Sequence, residues 1–85
     1  MKSKAHVVKL PEGKSIAYGF DLGKGGYFAD LFVAEGGTDH WTESTGFDGV
    51  NKTRILEFLE KHNAVALAQT QTAEAFGYLC MDLPC

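Results

Sequence analysis

The residues of this chain that could take part in chemistry are its histidines, its cysteines and the carboxylates near them in sequence. They are His6, His40, His62, Cys80 and Cys85, with Asp30 and Asp39. A nucleophilic cysteine needs a thiolate beside an imidazole in an electropositive pocket. Cys80 falls instead on the apolar stripe of a predicted helix, where a cysteine usually packs as a small, inert hydrophobe. We therefore predict no catalytic residues, and keep a small metal-dependent or thiol enzyme using His40, Asp39 and Cys80 as the alternative hypothesis.

Two short patterns resemble ligand sites, but each fits another explanation better. Cys80 and Cys85 are five residues apart, outside the usual spacing of a zinc knuckle, and the histidines do not pair at a helical spacing of four. The Gly-Lys-Gly-Gly run at 23–26 joins two predicted strands, whereas a phosphate-binding loop leads from a strand into a helix. We expect a hairpin turn at 23–26, and no metal, nucleotide or other cofactor.

Length and composition limit the class of protein. The chain has 85 residues, 45% hydrophobic and 22% charged, which is ordinary for a single globular domain spanning 1–85. Its longest apolar runs have four and five residues, too few to cross a membrane. Eight basic and eleven acidic residues leave a net charge of −3, which argues against a nucleic-acid partner bound through phosphate charge. With two cysteines and no apolar signal segment, we expect a cytoplasmic protein.

Glycine-rich turns divide the first half of the chain into short segments rich in β-branched and aromatic residues. Strands are predicted at 7–10, 16–22 and 27–34, with 40–44 as an optional fourth. Short strands separated by turn residues are typical of an antiparallel meander. Alternation along the central hairpin gives it one continuously apolar side and one mixed side. The predicted pairs are Ile16–Val33, Tyr18–Leu31, Phe20–Ala29 and Leu22–Tyr27 on the apolar side, and Ala17–Phe32, Gly19–Asp30 and Asp21–Phe28 on the other.

After Gly49 the spacing of apolar residues becomes helical. Asn51 is a favourable N-cap, and Asn63 suits the left-handed position that ends a helix. A second helix is predicted from Thr72, with Pro84 ending it. Its apolar stripe comprises Phe76, Leu79, Cys80 and Leu83. Segment 64–71 fits either a helix or an extended chain. The predicted fold class is therefore α+β, an antiparallel meander of three to four strands with two helices packed on it.

The mixed side of the hairpin is the best candidate for a binding surface. If the helices cover the apolar side, Phe28 and Phe32 form an apolar patch with charged neighbours, which is typical of a protein interface. Trp41 is either a further anchor, because tryptophan is enriched in interface hot spots, or a cap on the edge of the core. The predicted partner-binding residues are Phe28, Phe32, Asp30, Asp21 and Trp41. The open alternative is that a helix covers this side and buries it in the core.

Acidic residues are concentrated in one part of the chain. Residues 25–50 contain five carboxylates and no lysine or arginine. Besides Asp30, these are Glu35, Asp39, Glu43 and Asp48. They are either solvated turn residues or an acidic surface that meets a basic partner.

Several runs of the sequence together resemble a loose group of short, uncharacterised bacterial and phage proteins. The runs are Tyr-Gly-Phe-Asp at 18–21, Gly-Tyr-Phe at 26–28, Phe-Asp-Gly at 47–49, Leu-Glu-Phe-Leu-Glu-Lys-His at 56–62 and Met-Asp-Leu-Pro at 81–84. The resemblance implies a bacterial or phage origin and assigns no role to any residue. Phage proteins of this size include inhibitors of host proteins, such as anti-CRISPR proteins.

These observations favour a small, non-enzymatic protein-interaction module, of the kind that inhibits a host protein by covering its surface. Its partner is a protein whose identity the sequence does not give, with a second copy of the chain, forming a homodimer, as an alternative.

Overall fold

A computed structural model of the chain describes residues 4–46 and 48–81. Four strands are followed by three helices. The strands are β1 (Lys4–Lys9), β2 (Lys14–Asp21), β3 (Gly26–Glu35) and β4 (Thr38–Ser44). The helices are α1 (Lys52–Lys61), α2 (Val65–Gln71) and α3 (Ala73–Cys80). The fold is α+β, as predicted, with the optional fourth strand present and one helix more than expected.

The four strands form one antiparallel sheet in the order β1-β2-β3-β4, which is the predicted meander. One face of the sheet, here called the inner face, carries the buried residues of β1, β2 and β3. These are Val8, Ile16, Tyr18, Tyr27, Ala29 and Leu31. They form a single core cluster with buried residues of all three helices. The opposite face, here called the outer face, contributes no residue to that cluster.

The central hairpin has the predicted faces but a different register. Ile16 pairs with Leu31 and Tyr18 pairs with Ala29, so every pair is shifted by two residues from the expected one. A shift of two keeps each side chain on its face, since side chains alternate with a period of two. The hairpin turn covers residues 22–25 instead of 23–26. Leu22, expected on the apolar face, lies in this turn with 58% of its surface exposed.

A close backbone contact explains the shift. Tyr27 and Val50 exchange two backbone hydrogen bonds of 2.9 Å each, which brings the start of β3 against the segment before α1. A Cβ atom on Gly26 would lie 3.0 Å from the backbone nitrogen of Val50, and one on Gly49 would overlap the Gly26 backbone. The two glycines make this contact possible, and the contact holds Gly26 within the sheet opposite Asp21.

Helix α1 begins and ends where the sequence predicts. The Asn51 side chain accepts a hydrogen bond of 3.1 Å from the Arg54 backbone N–H, as an N-cap does. At the other end Asn63 has a φ of +55°. The backbone N–H groups of Asn63 and Ala64 bond to the carbonyls of Glu60 and Leu59, the pattern of a Schellman cap.

The segment that the sequence left undecided is helix α2. Its Ala68 is fully buried, and the small side chains of this segment allow it to pack closely against its neighbours. Helix α3 follows at Ala73, one residue after the predicted start. The hydroxyls of Tyr18 and Thr72 lie 2.6 Å apart and link the sheet to the junction of the two helices. Leu83, Pro84 and Cys85, which figure in the predicted end of this helix and in the metal patterns, lie outside the described residues.

None of the helices in the described part of the chain has the length and apolar character needed to cross a lipid bilayer.

Candidate functional site

Three aromatic side chains from two neighbouring strands lie on the outer face. Phe28 and Phe32 lie on β3, and Trp41 lies on β4 opposite Phe32. The two phenylalanines are half-buried, while the tryptophan is 61% exposed. None of the three belongs to the hydrophobic core. We call these residues, together with Asp30 between the phenylalanines on β3, the aromatic patch.

A β-bulge places Trp41 in the aromatic patch. The pairing of β3 with β4 shifts by one residue between Leu31 and Phe32, which makes Thr42 the extra residue of β4. The Thr42 hydroxyl donates a hydrogen bond of 3.3 Å to the Leu31 carbonyl oxygen. In a regular strand, alternation from this point would turn Trp41 to the inner face. The sequence contains no local signal for the bulge, so the contact between Trp41 and β3 is visible only in the structure.

Asp30 is the polar centre of the aromatic patch. Its Oδ1 accepts a hydrogen bond of 3.1 Å from Trp41 Nε1, which orients the indole ring. Lys24 Nζ lies 5.5 Å from the centroid of the Phe28 ring, a cation–π geometry. A cleft of about 110 Å³ lies between these groups and is lined by Lys24, Asp30, Trp41 and Ser44. Aromatic faces beside a carboxylate suit a cationic or hydrogen-bond-donating side chain.

The middle of the β1 and β2 part of the outer face is low and apolar, and Lys9 and Ser15 lie at one end of it. Val7 is 51% exposed, and Gly19 is buried opposite Phe28. An aromatic side chain across from a strand glycine covers its exposed backbone. Asp21 lies at the end of this face, where its Oδ1 accepts a hydrogen bond of 2.8 Å from the Gly23 backbone N–H. Asp21 therefore orders the hairpin turn as well as adding charge beside the patch.

The acidic residues of segment 25–50 lie in different parts of the fold. Asp39 is exposed on the outer face, opposite Ala34. Glu35 lies at the hairpin turn between β3 and β4, and Asp48 lies in the loop before α1, both exposed. Glu43 pairs with Leu31 and so lies on the inner side of the sheet. Of these four carboxylates, Asp39 alone shares the outer face with Asp30.

Glu43 joins β4 to the end of α1. Its Oε2 accepts a hydrogen bond of 2.9 Å from Lys61 Nζ and lies 3.3 Å from His62 Nε2. The hydrogen bond from Lys61 is the main cause that holds the pKa of the Glu43 carboxyl below its usual value. Sequence reasoning missed this contact, because the spacing of four between Glu57 and Lys61 favours a pair within α1.

The residues of the alternative enzyme hypothesis are spread over the molecule. Asp39 and His40 are adjacent and exposed on β4, where neighbouring side chains point to opposite faces. Cys80 is the last residue of α3 and is exposed. The expectation that it packs on the apolar stripe was wrong, since that stripe is formed by Ala75, Phe76 and Leu79. Across 4–46 and 48–81, no group of three or more His, Cys, Asp or Glu side chains is placed to hold a metal ion.

The other two histidines lie against aromatic rings. His6 on β1 has its ring centroid 5.9 Å from that of Tyr18. His62 at the end of α1 lies 5.0 Å from the Phe58 ring in an edge-on arrangement. Both histidine rings therefore pack against core aromatic residues at the margin of the core.

Comparison of the chain with protein-family models, with curated proteins and with solved structures finds no match in any of the three. The geometry of the chain itself is therefore the basis for a proposed function.

Proposed function

We propose that this chain is a small, non-enzymatic protein-interaction module that binds a partner protein through the aromatic patch. The observation that carries the proposal is the position of Trp41. A bulged strand holds its indole on the surface, 61% exposed, hydrogen-bonded to Asp30 and opposite Phe32. Bulges commonly re-aim a side chain next to functional sites, and tryptophan is among the residues most enriched in interface hot spots.

The shape of the surface favours a protein over a small molecule. The cleft beside Trp41 has a volume of about 110 Å³, whereas pockets that enclose small ligands hold roughly 300–1,000 Å³. A shallow apolar surface with a polar rim resembles one side of a protein–protein interface. Its exposed aromatic groups become buried only when a second surface covers them, and that burial supplies the free energy of binding.

The charges of the outer face indicate the chemistry of the partner. Asp30, Asp39 and Asp21 lie on this face, against Lys9 on β1 and Lys24 beside the cleft. Carboxylates therefore outnumber cations, and carboxylates repel the phosphates of nucleic acids. An arginine of a partner protein would stack on Trp41 and bond to Asp30. A module of this kind acts by covering its partner's surface, as a phage inhibitor of a host protein does in the cytoplasm.

Affinity capture tests the proposal. Immobilised wild-type protein, Phe32→Asp and Trp41→Ala are incubated with a bacterial lysate, and the captured proteins are quantified by mass spectrometry. The matched control is Met81→Asp, which changes an apolar side chain that is 60% exposed at the end of α3. We expect both patch variants to lose the captured partner at least about ten-fold, and the Met81 variant to retain it.

The proposal fails if Phe32→Asp and Trp41→Ala, shown by circular dichroism to be folded, capture the same proteins as the wild type. Light scattering over a concentration series identifies a second copy as the partner if the wild type dimerises and Trp41→Ala does not.

A further inference from the structure

The edge of β1 that faces away from β2 presents a row of backbone hydrogen-bonding groups. The Leu10 N–H bonds to the Lys14 carbonyl at 2.9 Å, so the backbone N–H and C=O groups of Leu10 point toward β2. Because these groups alternate along an antiparallel strand, Ala5, Val7 and Lys9 direct theirs away from β2. No described strand lies beyond β1, which is the first strand of the sheet.

The Gln71 side chain already occupies one position of this edge. Its Oε1 accepts a hydrogen bond of 2.7 Å from the Lys9 N–H, and its Nε2 donates one of 2.8 Å to the Lys9 carbonyl. A side-chain amide at the end of α2 thus makes the same pair of bonds that one residue of an antiparallel strand would make. The groups of Ala5 and Val7 continue the row beyond it, and Val7 is 51% exposed.

A groove runs beside this edge on the helix side of the sheet. It has a volume of about 390 Å³, and its lining includes His6, Gln71, Thr72, Glu74 and Tyr78. Within the part of the chain that the structure describes, Glu74 makes no salt bridge. The groove therefore offers an unpaired carboxylate and an aromatic ring to a side chain that enters from the position next to His6.

We propose that the β1 edge binds an extended peptide segment of another protein, which adds to the sheet as a fifth strand and places a lysine or arginine in this groove. The peptide residues opposite Ala5 and Val7 exchange backbone hydrogen bonds with them. The residue between them lies opposite His6, and its side chain points to the helix side, toward Glu74 and Tyr78. This site is separate from the aromatic patch, and the proposal does not depend on the proposed function.

Charge favours a single cation in the groove. The Glu74 carboxylate lines the groove and attracts a lysine or arginine side chain. Strand β1 carries two lysines and no acidic residue, so it repels further basic residues of the peptide.

The test uses a synthetic peptide, acetyl-Thr-Val-Arg-Val-Thr-amide, titrated into isotopically labelled full-length protein and followed by NMR. We expect its binding to shift the amide resonances of Ala5, Val7, Glu74 and Tyr78. N-methylation of both valine nitrogens removes the donors that face β1 and should abolish these shifts. N-methylation of the arginine nitrogen, which faces away from β1, is the matched control and should leave binding within about two-fold.

Two protein variants complete the test. Val7→Pro removes an outward N–H without breaking a bond to β2, which proline permits on an edge strand, and should abolish the shifts in a protein that still unfolds cooperatively. Glu74→Gln should weaken the arginine peptide about three-fold and leave a norleucine peptide unchanged.

Three results would overturn the proposal. One is the absence of any shift at millimolar peptide, and another is equal binding of the valine-methylated peptide. The third is a dimer, formed without peptide and abolished by Val7→Pro, which would assign the edge to a second copy.

Discussion

Asp30 and Glu43 are carboxylates of adjoining strands, close in sequence, with different surroundings. Asp30 lies on the outer face and accepts a hydrogen bond from an exposed indole. Glu43 lies on the inner side and holds Lys61 and His62 at the end of α1. Asp30 is therefore available to a partner, whereas Glu43 contributes to the attachment of α1 to the sheet.

The lowered pKa of Glu43 predicts a pH dependence of stability. Since the folded pKa lies below the usual value of 4.5, the ionised carboxylate stabilises the fold above about pH 4.5. This contribution is lost as the pH falls through the lowered pKa. Glu43→Gln should therefore reduce the free energy of unfolding at pH 7, and its difference from the wild type should disappear at the lowest pH. Urea unfolding at a series of pH values measures this.

Glu57→Gln is the control for that experiment, because it removes an exposed carboxylate of α1 that does not bond to Lys61. Its difference from the wild type should vary less with pH. An effect of Glu43→Gln that persists undiminished at low pH would show that the ion pair is not its cause.

At the scale of secondary-structure elements, the contact between β3 and the segment before α1 depends on glycine. We predict that Gly49→Ala lowers the free energy of unfolding by about 1–3 kcal/mol, because the added Cβ overlaps the backbone of Gly26. The urea midpoint measures this change. A neutral effect would mean that the two backbones separate at little cost.

Gly77 in α3 should respond in the opposite direction. A Cβ at this position meets no atom within 4 Å, and alanine is a better helix former than glycine. Gly77→Ala should raise the free energy of unfolding by about 0.5–1 kcal/mol. Thermal unfolding of Gly49→Ala and Gly77→Ala under the same conditions distinguishes the cost of a Cβ at a close backbone contact from the gain in helix propensity. A fall in stability for Gly77→Ala would indicate that α3 needs flexibility at this point.

At the scale of the whole molecule, the chain forms two layers, with its three helices packed on the inner face. The outer face takes no part in that core, so substitutions on the two faces of one strand should have unequal effects. Leu31 and Phe32 are adjacent on β3, and Leu31 is only 7% exposed.

We predict that Leu31→Asp unfolds the protein, while Phe32→Asp lowers the free energy of unfolding by only about 1 kcal/mol. Replacing a buried leucine by a charged residue lowers the free energy of unfolding by several kcal/mol. The whole free energy of unfolding of a domain of this size is only about 5–10 kcal/mol. Circular dichroism and urea unfolding of the two variants measure the difference. Loss of the fold in Phe32→Asp would mean that the outer face is part of the core.

Much of the fold could be predicted because its signals are local. Alternation of apolar residues identified the faces of the central hairpin, and Asn51 and Asn63 marked the ends of α1. The residues of the aromatic patch could be predicted for the same reason, since Phe28 and Phe32 alternate with the buried positions of β3. Local patterns did not reveal which residues would meet across strands.

The sequence by itself thus determined the fold class, the two faces of the sheet and the limits of α1, since each depends on the period of neighbouring residues. Only the tertiary structure decided the hairpin register, because a shift of two residues leaves both faces unchanged and the contact of Gly26 with Gly49 selects between registers. It likewise decided the bulge that exposes Trp41 and the bonding of Gln71 to β1. These features join residues distant in the chain, and their free energies depend on packing that no local pattern contains.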